Sequence, residues 1–125
     1  MRLLLDTHVA VWWFNDPAKV RPDARDALED ASNEALLSAA SVWEAALKQA
    51  SGRLNLPIRL DDLARSGGLV ELAISWEHSR AAAELPRLHG DPFDRMLVAQ
   101  ALLENLVLVT RDRAVTQYDV ATMPA

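Results

Sequence analysis

Cysteine is absent from this chain of 125 residues, and long apolar runs are absent too. Without cysteine there can be no disulfide, thiolate zinc site or cysteine nucleophile, and the composition suits a reducing compartment. The apolar start of the chain meets a carboxylate at Asp6 after only three leucines, too early for a signal-peptide core. Because no run approaches the roughly 20 apolar residues of a membrane span, we expect a cytoplasmic protein with no membrane partner.

Positive charge is in the minority, with 13 Lys and Arg residues against 18 Asp and Glu residues and a net charge of −5. This balance argues against a broad basic surface for nucleic acid, although acids gathered in one cleft could bind a metal ion that contacts phosphate. No repeat, low-complexity tract or flexible linker interrupts the chain. We therefore expect a single domain spanning residues 1–125.

Short apolar runs alternate with helical patterns. The runs suit strands buried on both faces, and they are Leu3–Leu5, Ala35–Leu37, Leu69–Ile74 and Leu106–Thr110. The helical patterns are Val9–Phe14, Asp23–Ala31, Ser41–Ser51, Asp61–Ser66, Trp76–Leu85 and Asp91–Glu104. This alternation predicts an α/β fold, a three-layer α/β/α sandwich around a short, mostly parallel central sheet. Its ligands should bind outside the carboxyl ends of the strands.

Two aspartates follow strand-like runs, Asp6 directly after the first and Asp112 two residues after the last. Each has an ordinary alternative, since Asp6 could cap the next helix and Asp112 could be a solvated turn residue. Thr7 and Thr110 could orient these carboxylates by hydrogen bonds, or act in the turns themselves. Their position after strands places both carboxylates at the expected ligand-binding edge.

Three more acids lie near the starts of predicted helices. Glu44 completes the sequence Ser-Val-Trp-Glu, which has the form of a capping box, and it could also pair with Lys48 one turn later. Asp91, just before Pro92, is the natural cap of the last helix. Asp94 begins a mostly apolar stripe of that helix, so its buried charge needs a cation or the helix N-terminus to remain ionised.

These acids should meet, because the N-termini of crossover helices lie on the same edge as the carboxyl ends of the strands. Two like charges ~4 Å apart repel by about 4 kcal/mol at an effective dielectric near 20. A divalent cation among the carboxylates would remove that cost. Oxygen ligands, with no cysteine and no pair of histidines, suit Mg²⁺ or Mn²⁺ rather than zinc. The expected site comprises Asp6, Glu44, Asp94 and Asp112.

At these positions the chain resembles the PIN-domain ribonucleases, and among them the VapC-type toxins of bacterial toxin–antitoxin pairs. The likeness spans nearly the whole chain and is carried by Leu3–His8, Ser41–Glu44, Asp91–Arg95, Leu97–Ala101 and Leu108–Asp112. Each motif alone is weak, whereas the ordered series of four acids with these flanks is specific. The family pattern aligns best with Asp94 and leaves Asp91 as a helix cap or second acid.

The resemblance implies a metal-dependent endoribonuclease, often a homodimer, that is inhibited by a cognate VapB-type antitoxin. Under this hypothesis Asp6, Asp94 and Asp112 bind Mg²⁺ or Mn²⁺, and Glu44 acts as general base on the attacking water or as a further ligand. RNA is cleaved to a 5′-phosphate and a 3′-hydroxyl. Asp6→Asn and Asp94→Asn should abolish cleavage and leave the thermal transition intact or higher, because each relieves repulsion.

Local positive charge must hold the RNA despite the acidic total. The candidates, for which a solvated surface role is the plainer interpretation, are Lys48, Arg95, Arg111 and Arg113. Arg95 carries the most weight, because it follows Asp94 and could pair with that acid or reach a phosphate. The three histidines lack metal-ligand spacing and are interpreted as surface or capping residues. Among them, His8 alone is expected near enough to Asp6 to touch substrate.

Three consecutive rings, Trp12, Trp13 and Phe14, stand on a short helix that cannot bury all of them on one face. A dimer or antitoxin surface is the favoured explanation for the rings left over from the core.

Other functions fit part of the pattern. The acidic edge could serve a metal-dependent DNA nuclease or phosphohydrolase, although flap-type nucleases usually carry long helical insertions and the connections here are short. A phospho-acceptor receiver domain would need an adjacent acidic pair after the first strand and a lysine after the last. A catalytically silent partner-binding module is opposed by the intact acids. The pattern as a whole favours the ribonuclease.

Overall fold

The computed structural model describes all 125 residues and contains one five-stranded sheet. Its strands are β1 (Arg2–Leu5), β2 (Glu34–Ser38), β3 (Val70–Leu72), β4 (Val107–Thr110) and β5 (Thr122–Pro124). Their order is β3-β2-β1-β4-β5, and every neighbouring pair is parallel. The predicted α/β class with a parallel central sheet is confirmed.

Six helices connect the strands. They are α1 (Thr7–Asn15), α2 (Pro22–Glu29), α3 (Ala39–Ala50), α4 (Leu60–Ser66), α5 (Trp76–Glu84) and α6 (Pro92–Glu104). Pro22 and Pro92 occupy first-turn positions, as expected, because a first-turn residue needs no hydrogen-bond donor and proline already has a helical φ. None of the helices combines the length and the apolar character needed to cross a bilayer.

The side chains of β1 divide the core into two layers. Leu3 and Leu5 point to one face, where α1, α2 and α4 pack with part of α3, and Leu4 points to the other, where α6 packs. Successive strand residues face opposite sides, so a run of three leucines supplies both layers. The helices on the two faces complete the predicted three-layer sandwich.

The last strand was not predicted. β5 has three residues and ends in Pro124, and a proline normally argues against a strand because it cannot donate a ladder hydrogen bond. Here β5 lies at the edge of the sheet and pairs with β4 alone. An edge strand tolerates proline, which is why local sequence signals did not reveal it.

The capping box predicted at Ser41 is wrong. Helix α3 begins at Ala39, and Ser38 caps it by accepting a hydrogen bond from the Ala40 N–H at 3.0 Å. Ser41 therefore lies inside the helix, where its buried hydroxyl accepts from the Thr7 hydroxyl at 2.9 Å. Glu44 consequently lies a full turn beyond the helix start and has no capping role.

The centre of the sheet contains a topological switch point. From β1 the chain builds outward through β2 and β3, and it then returns to the other side of β1 to form β4 and β5. Crossovers on opposite sides open a crevice at the carboxyl ends of β1 and β4, where ligands bind in open α/β sheets. Asp6 and Asp112 follow those two strands.

Candidate metal centre

Asp6 is a buried, ionised cap at the end of β1. Its Oδ1 accepts from the His8 backbone N–H at 2.9 Å, which caps α1, and its Oδ2 accepts from the Thr110 hydroxyl at 2.8 Å. Burial alone would raise the pKa of Asp6, but the hydrogen bonds from His8 and Thr110 outweigh it and hold the pKa below the usual 3.8. The expected capping role and a position in the crevice therefore coexist.

Thr110 connects Asp6 with Asp112. Its hydroxyl oxygen, which donates to Asp6, also accepts from the Asp112 backbone N–H at 3.0 Å. Asp112 Oδ1 accepts from the Ala114 N–H at 2.9 Å, an ordinary turn contact, whereas Oδ2 faces the crevice 4.0 Å from a nitrogen of His89. Thr110 thus orients a carboxylate as expected, while Thr7 bonds to α3 instead.

Asp91 and Asp94 have different environments in the first turn of α6. Asp91 is the cap and accepts from the N–H groups of Phe93 at 2.8 Å and Asp94 at 3.3 Å. The Asp94 side chain is 15% exposed. Burial, reinforced by the negative charges of Asp91 and Asp6, raises the pKa of Asp94 to about 6 despite a hydrogen bond to His89. Asp94 is therefore the acid of the crevice whose ionised form is least stabilised by its surroundings.

Glu44 is a buried carboxylate on α3 with one oxygen paired and one unpaired. Oε2 contacts the Lys48 ammonium at 2.9 Å, the helical pairing considered above, whereas the buried Oε1 has no hydrogen-bond partner. An unpaired buried acceptor is costly, so this oxygen is suited to a ligand that supplies positive charge. The charges of Glu44 and Lys48 both act on His8, which contacts Asp6.

Two contacts join the N-terminal halves of the helices that begin near these acids. The buried Thr7–Ser41 hydrogen bond connects α1 to α3. The rings of Trp43 and Phe93 meet edge to face, with centroids 5.1 Å apart, and connect α3 to α6. These residues neighbour Asp6, Glu44 and Asp94 in sequence, so helix packing and acid placement are linked.

Sequence reasoning missed His89. Its Nε2 lies 2.8 Å from Asp94 Oδ2 and 4.0 Å from Asp112 Oδ2. One donor atom from each of these three residues lies within 4.8 Å of the other two. The hydrogen bond to Asp94 raises the pKa of His89 above its usual 6.5. The sequence did offer one sign of its role: His89 lies two residues before the Asp91 cap of α6, and helix N-termini were expected at the edge of the sheet where the acids gather.

The interpretation of the histidines as surface or capping residues is correct in part. His78 is a capping residue of α5, because its Nδ1 accepts from the Ser75 N–H at 3.0 Å, but it is buried rather than on the surface. His89 is neither, and His8 is exposed beside Asp6. Chain spacing did not distinguish them, because the acids that surround His89 come from other elements.

Arg95 is committed to holding a loop. Its guanidinium donates to the carbonyl oxygens of Ala82 at 2.9 Å and of Leu85 and Pro86 at 3.0 Å. It also donates to the His89 carbonyl at 3.3 Å and to the Tyr118 hydroxyl at 3.2 Å. We call this set the Arg95 clamp. Arg95 makes no hydrogen bond to Asp94, and its predicted phosphate contact stays a prediction, which these backbone partners disfavour.

The other three basic residues predicted to contact RNA have different surroundings. Arg111 donates to the backbone oxygens of Lys19 and Ala125 and stacks over Trp12, with its guanidinium carbon 4.4 Å from the ring centroid. It therefore holds Ala125 close to Lys19 and Trp12, and its predicted RNA contact stays a prediction. Lys48 is paired with Glu44. Arg113 is exposed immediately after Asp112 and stays a prediction.

The donor set fits a divalent cation. The carboxylates of Asp94 and Asp112 lie close enough to the His89 imidazole to share one ion, and the negative charge of Asp6 acts on Asp94. The buried Oε1 of Glu44 has no internal partner. Hard carboxylate ligands suit Mg²⁺ and Mn²⁺. These residues could therefore hold a metal ion, and the uncompensated charge around Asp94 gives a reason for one.

The comparisons with known proteins agree with this geometry. The family model of the PIN domain matches residues 3–121. Ribonuclease VapC22 of Mycobacterium tuberculosis is 35% identical over 116 residues, which cover 89% of this chain and 87% of that protein. PIN-domain ribonucleases are metal-dependent in general.

Solved structures share the fold at low sequence identity. The VapBC2 complex of Rickettsia felis, bound to a promoter DNA fragment, aligns with a TM-score of 0.72 at 14% identity over 100% of this chain and 99% of that one. DNA-bound VapBC of Salmonella typhimurium gives a TM-score of 0.72 at 17% identity over 99% and 98% of the two chains. A toxin–antitoxin complex from Klebsiella pneumoniae gives 0.68 at 18% identity over 97% and 95%.

The match to the PIN-domain model runs from β1 to the end of the segment after β4, so it includes all four candidate acids. With a relative of 35% identity over most of both chains, the protein belongs to the PIN-domain family.

Proposed function

We propose that this chain is a Mg²⁺- or Mn²⁺-dependent endoribonuclease that acts in the cytoplasm as the toxin of a toxin–antitoxin pair. The observation that supports the proposal is the gathering of Asp94 and Asp112 around His89 at the switch point, with Asp6 linked to Asp112 through Thr110. The similar VapC22 is named a ribonuclease, and the similar solved structures are VapBC or toxin–antitoxin complexes.

Each acid has a role that its surroundings support. Asp6, Asp94 and Asp112 would hold the ion, with Thr110 keeping the first and third in a common orientation. Glu44 would take the proton of the attacking water on its unpaired oxygen or serve as a further ligand, and Lys48 fixes the other oxygen. When bound, the ion supplies positive charge that stabilises the scissile phosphate as negative charge develops on it.

The cleavage assay that tests this proposal uses purified protein, total RNA and either Mg²⁺, Mn²⁺ or EDTA, with the new 5′ ends mapped. We expect cleavage with either ion, none with EDTA, and 5′-phosphate ends. Asp112→Asn should remove the activity, whereas Asp26→Asn, an exposed acid on α2, is the matched control and should keep it. Metal-dependent cleavage of DNA in preference to RNA would support the alternative nuclease function and refute this one.

We also propose a VapB-type antitoxin partner and a homodimer. Large apolar side chains stand in solvent on several helices, with Trp76 on α5 92% exposed and Trp43 on α3 60% exposed. Tryptophan at this exposure is typical of surfaces that bind protein. Trp12 and Phe14 pack partly against the core, so the predicted role of the Trp12–Phe14 rings in binding a partner stays a prediction.

Expression in a bacterial host tests the partner. The chain alone should arrest growth, and co-expression of its VapB-type antitoxin should relieve the arrest and yield a purified complex. Light scattering of the free protein should give twice the mass of one chain. Continued growth with verified expression of the active chain would contradict the toxin assignment while leaving the nuclease assignment to the cleavage assay.

A further inference from the structure

His89 points its ring into the crevice from the loop before α6. Its Nε2 is 2.8 Å from Asp94 Oδ2 and 4.0 Å from Asp112 Oδ2. Donor atoms on one ion with ligand distances of about 2.1 Å lie about 3–4 Å apart. The imidazole nitrogen and the two carboxylate oxygens already have nearly this spacing, so small movements would bring all three onto one ion.

The loop that carries His89 is held from below by α6 and the segment after β4. The Tyr118 hydroxyl accepts from the His89 backbone N–H at 3.0 Å, and Arg95 donates to the His89 carbonyl at 3.3 Å. Both backbone polar groups of one loop residue are therefore satisfied by side chains of other elements. Such support holds a metal-binding side chain in place before the ion binds.

A second observation points to a ligand in this crevice. Glu44 is buried, and its Oε1 has no hydrogen-bond partner. This acceptor is carried by α3, which contacts α1 next to Asp6 and α6 next to Asp94, and an unpaired buried acceptor is costly unless a ligand reaches it.

We propose that His89 binds the divalent ion of this site directly through Nε2 and so makes the site prefer a first-row transition ion such as Mn²⁺ over Mg²⁺. This inference rests on the metal dependence proposed above. Imidazole nitrogen is a good ligand for transition ions, whereas Mg²⁺ favours oxygen and retains water. A ligand set of one imidazole nitrogen and several carboxylate oxygens would bind Mn²⁺ more tightly than Mg²⁺. The sequence had predicted a site with oxygen ligands only.

A different role for His89 would be to orient Asp94 by hydrogen bonding without touching the ion. The two roles differ in measurable ways. A positioning residue affects Mg²⁺ and Mn²⁺ alike, because both ions use the same carboxylate, and it places no nitrogen on the metal. A ligand affects Mn²⁺ more strongly and leaves a nitrogen signature in the spectrum of the paramagnetic ion.

Calorimetric titration of the full chain with Mn²⁺ alone and with Mg²⁺ alone measures the preference. His89→Gln keeps an N–H that can bond to Asp94 but removes the aromatic nitrogen. We expect it to weaken Mn²⁺ binding by at least about tenfold and Mg²⁺ binding by less than about threefold. His8→Gln, which alters the exposed histidine beside Asp6, is the matched control and should leave the preference unchanged.

Pulsed electron paramagnetic resonance of the Mn²⁺-loaded protein supplies a test independent of folding by any variant. We expect a ¹⁴N modulation in the unaltered chain that changes to ¹⁵N when histidine alone is labelled, and that His8→Gln retains. Mn²⁺ uptake without a histidine nitrogen, or equal weakening of both ions in His89→Gln, would overturn the ligand assignment and leave the proposed nuclease intact. Failure of the unaltered chain to bind either ion would refute both.

Discussion

Burial acts to raise the pKa of both Asp6 and Asp94, but their other contacts make the net shifts opposite. Asp6 receives hydrogen bonds from Thr110 and the His8 backbone, which favour its charge, and its pKa is lowered. Asp94 receives one from a histidine and faces other acids, and its pKa rises to about 6. The two Asp→Asn variants should therefore differ in stability, although repulsion alone predicts the same effect for both.

Asp94→Asn should abolish cleavage and stabilise the metal-free protein at high pH. Because the folded state raises this pKa from 3.8 to about 6, the stability from its bound proton is complete below about pH 4 and is lost as the pH rises through 6. The raised pKa of His89 acts in the same direction. With EDTA present, calorimetry should show the variant melting about 3–5 °C above the unaltered chain at pH 8, with a much smaller gain at pH 5.

An equal or lower midpoint for Asp94→Asn at pH 8 would contradict this account of the crevice. Asp91→Asn is a useful comparison, since asparagine remains a good helix cap. It should raise the midpoint less than Asp94→Asn does, because it removes only one of the charges that act on Asp94.

Asp6→Asn should also abolish cleavage but lower the thermal midpoint. The variant keeps a cap for α1, yet it presents an amide where Thr110 now donates to Oδ2. The loss of one buried, charge-assisted hydrogen bond costs about 1–2 kcal/mol. Because the pKa of Asp6 is lowered, its contribution is present above pH 4 and is lost as the pH falls through the lowered value. Denaturant unfolding at pH 7 and pH 3 checks both statements, and a midpoint raised at pH 7 would refute them.

At the scale of elements, the Arg95 clamp joins the α5 end, the loop before α6 and Tyr118. Arg95→Ala should destabilise the fold by about 2–3 kcal/mol, because several backbone carbonyls lose a charged donor. The planar guanidinium reaches them as a fork, so lysine should rescue little. Denaturant unfolding measures the loss. The salt dependence of RNA binding by the folded fraction should not change, and a reduced salt slope without destabilisation would support the phosphate role instead.

Arg113 provides the opposite test. It is exposed in the segment after β4, directly beyond Asp112. If it contacts a phosphate, Arg113→Ala should weaken RNA binding and reduce the slope of log affinity against log salt by about 1, with stability unchanged. Binding is measured in an Asp94→Asn background, where RNA stays intact. An unaltered slope would refute the predicted phosphate contact of Arg113.

At the scale of the whole molecule, the metal should stabilise the folded state as well as support catalysis. A ligand that binds only the folded state at 100 times its dissociation constant adds about 2.7 kcal/mol. Adding Mn²⁺ to the EDTA-treated chain should therefore raise the thermal midpoint by several degrees. The Asp94→Asn/Asp112→Asn double variant should not respond. A similar rise in that variant would indicate binding elsewhere.

Much of the architecture was predictable because it depends on local pattern. The leucine run of β1, the β-branched run of β4 and the first-turn prolines of α2 and α6 each carry their structure in a few adjacent residues. Alternation of strands and helices then restricts the pairing to parallel and places helix N-termini beside strand ends. From this the meeting of Asp6, Asp94 and Asp112 at one edge could be predicted without coordinates.

What the sequence determined by itself was thus the fold class and the edge at which the acids gather, since the period of each element and the alternation of strands with helices follow from short-range patterns. The tertiary structure decided which side chains complete the site. His89, the Arg95 clamp and edge strand β5 depend on contacts between residues from different elements or loops. Loops have no sequence periodicity from which their structure can be predicted. The partner of a histidine or arginine depends on which carboxylate or carbonyl group tertiary packing places next to it.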